Sequence, residues 1–130
     1  MREPDFDVDG WSLDDGEERH REAPTTFWIP ALSDRQALQK GDWAKLIFRI
    51  AVGNSDEPVS VERMWVIVRE RVPGGYIGML DNEPDAISEN EEFWVGAELP
   101  FQYRHIIGIE KRTEKSITLA DAPPPIPWRR

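Results

Sequence analysis

Few side chains in this 130-residue sequence could carry out chemistry. There is no cysteine, which removes thiol nucleophiles, thiolate metal ligands and disulfides together. The two histidines are His20 and His105, too few for a histidine-rich metal centre. His105 could act as a general base if a carboxylate oriented it beside a pocket. Its other reading is a histidine held in place by structural hydrogen bonds. Asp81-Asn82-Glu83-Pro84-Asp85 alternates carboxylates, but it lacks the Asp/Asn spacing of a calcium loop and Pro84 interrupts it. Asn82 can offer its amide to a ligand or use it to hold its own turn. No Gly-rich phosphate loop, Walker lysine or G-x-S-x-G elbow is present. The residues therefore call for no metal and no cofactor, and no catalytic residue is assigned.

The aromatic residues are more informative, with six tryptophans in the chain. In Trp43 to Ile50 the apolar period is two, which puts Ala44, Leu46, Phe48 and Ile50 on one strand face. Trp43, Lys45, Ile47 and Arg49 fall on the other. The run Val59 to Arg71 repeats this, with Met64, Val66 and Val68 opposed to Arg63, Trp65, Ile67 and Arg69. Trp43 and Trp65 thus stand on the faces opposite the main apolar stripes. Either another part of the chain covers that face, or the indoles are presented to a partner, since tryptophan is a preferred interface anchor.

Around these runs, Pro24 to Leu32 reads as extended chain between two prolines. Ser33-Asp34-Arg35-Gln36 has capping-box form and predicts a short helix from Arg35 to Lys40, ended by Gly41. Gly53-Asn54-Ser55-Asp56 is a turn cluster. Pro73-Gly74-Gly75 joins Val59–Arg71 to Tyr76–Leu80 as a hairpin. Phe93 to Phe101 and Tyr103 to Ile109 are further strand candidates. Residues 113–130 end in Pro123-Pro124-Pro125-Ile126-Pro127-Trp128 and predict a Pro-rich tail favouring polyproline II. Residues 1–23 predict a disordered acidic arm, with nine acids against three arginines over residues 1–22. Phe6, Val8, Trp11 and Leu13 within it leave open a segment that docks on its own domain or on a partner.

The net charge is −9, a field that repels phosphate backbones and disfavours nucleic acid. No apolar stretch approaches the roughly 20 residues that span a bilayer, and the charged first residues do not read as a signal peptide. A cytoplasmic location and a monomer or weak dimer are expected.

Thr26-Phe27, Ile29-Pro30, Gly41-Asp42, Ala44-Lys45-Leu46-Ile47-Phe48, Glu62-Arg63-Met64-Trp65-Val66, Gly75-Tyr76-Ile77-Gly78 and Leu80-Asp81-Asn82-Glu83-Pro84 occur in that order. This order resembles a bacterial family catalogued as domain of unknown function 2314, over about residues 24–109. The resemblance brings no reaction and no catalytic residue. It does suggest an association with partners or immunity components of bacterial antagonism systems.

The expected fold is α+β, a strongly bent antiparallel sheet of about five strands, or half-open barrel, with one short N-terminal helix over residues 24–112. The expected function is a non-catalytic module that binds a protein or peptide through Trp43, Arg63, Trp65, Asp81, Asn82, Pro84 and His105. The alternatives are a small hydrolase or ligand-binding enzyme using His105 with a carboxylate, and an immunity-type partner of a bacterial toxin.

Overall fold

A computed structural model of the chain describes residues 2–52, 58–82 and 93–129. Its elements are α1 (Phe6–Asp9), β1 (Trp11–Leu13), α2 (Gly16–Glu22), α3 (Leu32–Arg35), β2 (Trp43–Ala51), β3 (Val59–Val72), β4 (Gly75–Leu80), β5 (Glu98–Gln102), a 3-10 turn (Tyr103–His105), β6 (Gly108–Glu110) and α4 (Glu114–Asp121). Every strand pair is antiparallel, in the order β1-β2-β3-β4-β5. The sheet curls strongly, as a half-barrel. The edge of β2 away from β3 is shared. β1 takes its Phe48–Ile50 end and β6 its Trp43–Lys45 end. The chain thus leaves β5 at one edge of the sheet and returns to the other through β6.

The two-residue period works as the sequence predicts. Ala44, Leu46, Phe48, Met64, Val66 and Val68 are buried on the concave face. Each large side chain there contributes about 1.5–3 kcal/mol by leaving water. The β3–β4 register shifts between Val68 and Glu70, a bulge that adds twist. Nearby, a Cβ on Gly78 would lie 2.4 Å from Val66 Cγ1 and 2.7 Å from the Ile67 carbonyl, so only glycine lets the strands approach this closely.

Of residues 1–23, expected as a disordered arm, those from Phe6 to Glu22 instead enter the fold as α1, β1 and α2. The acids that suggested disorder have structural tasks. Asp5 accepts the Asp7 and Val8 N–H groups at the start of α1, and Asp15 accepts that of Glu18 at the start of α2. Asp14 pairs with Arg19 and Arg49, Asp9 with Arg2, and Glu17 with Arg35. Trp11 is buried, stacked on Phe93 at 4.7 Å between centroids and close to Phe48 and Trp128.

The short helix also departs from expectation. α3 spans Leu32–Arg35, and the Ser33 box does not form. Arg35 is the reason. Its buried guanidinium donates to the Pro30 carbonyl (2.9 Å), to Glu17 (2.7 Å) and to the Tyr103 carbonyl (2.8 Å). Its own carbonyl accepts the Tyr76 hydroxyl at 2.6 Å. The chain then unwinds. Tyr76 Oη accepts the Leu38 N–H, and buried Asp42 accepts those of Gln39 and Arg112.

Strand Phe93–Phe101 shortens to β5, and Tyr103–Ile109 divides into the 3-10 turn and β6. Of residues 113–130, expected as a tail, those up to 129 form α4 and a docked segment. Thr113 and Ser116 make a reciprocal cap, and α4 lays Leu119 and Ala120 on Ile67, Met79 and Trp43 of the convex face. Arg69 ties this cover down. It donates to the Ala120 and Ala122 carbonyls at 3.2 and 2.8 Å and pairs with buried Glu98 at 2.6 Å. Glu98 also accepts the Trp128 N–H, while Ile126 bridges Ala97 in parallel along the open edge of β5. Among the described residues, no helix is long and apolar enough to cross a membrane.

Trp11→Ala should lower unfolding free energy by about 3–5 kcal/mol, the cost of deleting a buried indole. The midpoint of urea denaturation measures it. A midpoint within error of the parent would mean that residues 5–22 are not part of the folded unit.

Candidate functional site

The convex face of the sheet is unevenly covered. α4 seals Ile67 and Met79, and Ile47 is fully buried. Between them Trp43, Lys45 and Trp65 are only half-buried. Register explains how they meet. Trp43 lies opposite Ile67, and Lys45 lies opposite Trp65, so the two indoles stand on one face along a diagonal. On the far edge of β2, β6 sets Glu110 opposite Trp43 and Gly108 opposite Lys45. A Cβ at Gly108 would press on Lys45 Cβ at 3.2 Å, so the missing side chain leaves room for Lys45 beside the Trp65 ring. Trp43, Trp65, Asp81, Asn82 and Glu110 line a shallow cleft of about 370 Å³.

The cleft is held by polar contacts. Trp43 Nε1–H donates to Asp81 Oδ2 at 3.1 Å, which orients the indole. The Asp81 N–H donates to the Trp65 carbonyl at 2.9 Å. Asn82 Oδ1 accepts the Trp65 N–H and so replaces a backbone carbonyl where β4 has ended. Asn82, expected to donate to a ligand or to stabilise its own turn, instead holds the neighbouring strand with its side-chain oxygen. The Lys45 ammonium sits 5.5 Å from the Trp65 ring centre. Among the described residues, neither Asp81 nor Glu110 joins an ion pair.

Of the expected binding residues, the fold brings together Trp43, Trp65, Asp81 and Asn82. Arg63 shares their sheet face but stacks on Phe27, 5.3 Å from its ring centre. Pro84 lies outside the described residues. Glu110 was missed because the last strand candidate stopped at Ile109. Only the β2–β6 register brings it beside Trp43.

His105 does not line the cleft. It is buried in the 3-10 turn, where Nδ1 accepts the Gln102 N–H at 2.9 Å. That bond leaves the proton of the neutral ring on Nε2. Burial, then the neighbouring Arg104 charge, push its pKa down to about 4 against the opposing pull of Asp15 and Asp14. Among the described residues no carboxylate hydrogen-bonds the ring, so nothing there orients it as a base.

Two other hollows are less suited to a ligand. One of about 400 Å³ lies among Arg2, Asp9, Trp11 and Trp128, where Arg2 is already paired with Asp9 and stacked on Trp128. The other, about 430 Å³, is lined by four carboxylates and three arginines, and the arginines are already paired, Arg19 and Arg49 with Asp14 and Arg104 with Asp15. The comparisons with known proteins found no matching family model, curated protein or solved structure.

His105 gives the protein a pH signature. Its folded pKa of about 4 lies below the unfolded 6.5, so between these values the unfolded chain binds the extra proton. Stability is complete above pH 6.5 and should fall by about 3 kcal/mol as pH drops to 4. The carboxyl of Asp9, lowered first by its hydrogen bond to Arg2, loses its contribution only below its ordinary 3.8, outside this window. Urea midpoints between pH 4 and 7 measure the slope, and His105→Asn should flatten it. An unchanged slope in that variant would assign it to other groups.

Proposed function

We propose that this protein is a non-catalytic binding module that engages a protein or peptide through the Trp43/Trp65 cleft. One observation carries the reading. Between buried Ile47 and the part of the convex face that α4 covers, two indoles remain half-buried beside carboxylates that join no ion pair among the described residues. An indole already oriented by Asp81 loses little side-chain entropy on binding, which favours it as an anchor. The hydrolase reading would need His105 beside a carboxylate, and its accepting nitrogen is already engaged by Gln102. An immunity-type role in a bacterial cytoplasm, as the resemblance suggests, is one instance of the same reading and would use the same face.

A phage-displayed peptide library panned on the purified protein tests this. Enriched peptides should lose about 30-fold in affinity for the Trp65→Ala variant, the loss typical of a truncated anchor. Circular dichroism would confirm that the variant is folded. Peptides that bind parent and variant equally would sink the proposal.

A further inference from the structure

Resting on that reading, we infer that the cleft takes a cationic side chain of the partner, an arginine presented from a basic segment. Three features converge on this chemistry. The cleft has two carboxylates, Asp81 and Glu110, with no cation paired to either among the described residues. Asp81 uses Oδ2 to orient Trp43, so Oδ1 faces no competing donor among the described bonds. The walls are indoles, whose faces attract cations; the Lys45 ammonium already stands 5.5 Å from the Trp65 ring centre, so the arginine would stack on Trp43.

Arginine fits better than lysine for a geometric reason. A guanidinium is planar, stacks on an aromatic face and presents parallel N–H donors to a carboxylate. Trp43 and Trp65 stand diagonally across β2 and β3, and Asp81 is bonded at the edge of the Trp43 indole, so a guanidinium lying on that ring would also reach a carboxylate. The net charge of −9 would draw a basic segment toward the domain, faster at low salt.

The probe is acetyl-arginine methylamide, with the neutral citrulline analogue as its isostere. Titration is followed by the indole N–H resonances in ¹H–¹⁵N spectra, with that of Trp43 assigned by Trp43→Phe. The arginine probe should shift the Trp43 resonance saturably, and at least tenfold more tightly than citrulline. The Asp81→Asn/Glu110→Gln double variant keeps an acceptor for Trp43 Nε1–H and should weaken arginine at least tenfold with the rest of the spectrum intact. Equal binding of arginine and citrulline, or a double variant that binds as the parent does, would overturn the inference. If library peptides still depended on Trp65 in that case, the docking face would stand and only its ligand chemistry would fall. If they ignored Trp65, the docking face itself would fall.

Discussion

β3 is paired on both edges and apolar on both faces, and most of the structure answers to that constraint. Met64, Val66 and Val68 point into the concave side, while Trp65 and Ile67 point out of the convex side. A strand of this kind needs two covers. The bulge at Val68/Glu70 and the close approach at Gly78 curl the sheet around the first set, and Trp11, stacked on Phe93 and edge-on to Trp128, closes that side. α4 supplies the second cover, but at eight residues it is too short to reach along the whole face. The cleft lies in the portion that α4 does not reach, as do the exposed Val59 and Val61 at the far end of β3.

The covers are held by buried charge. Helices of four to eight residues are too short to be stable alone. Arg35 fastens α2, α3 and the 3-10 turn to one another, and Arg69 with Glu98 fastens α4 and the C-terminal segment to the sheet. Each ion is surrounded by several partners, which offsets the cost of removing it from water. Arg35 and Asp42 also explain why the chain from 36 to 42 does not continue as helix. Their hydrogen bonds outbid a local capping signal.

What could be read from the residues was what repeats at short range. The period of two exposed β2, β3, the hairpin with β4, and the shared face of Trp43 and Trp65. What could not be read depended on partners far away in the chain. Nine acids in the first 22 residues look like disorder until Arg35, Arg49 and Arg104 are brought to meet them. The prolines near the end hide α4, whose cap of Thr113 and Ser116 was itself local and could have been recognised. Glu110 joined the site only through a strand pairing across more than sixty residues, and no spacing rule announces that.

The contact between Arg2 and the Arg129 carbonyl spans 127 positions of sequence. The hairpin ladders from β2 to β5 join strands that follow one another, so they can form while the ends are still apart. Pairings of such different range place the chain among domains whose folding rate is set by topology more than by stability. The ring cluster of Trp11, Phe93 and Trp128 draws its members from the beginning, the later middle and the end of the chain. Closing it costs more loop entropy than closing any hairpin of the sheet. Without it the concave core would lie open to water along one side.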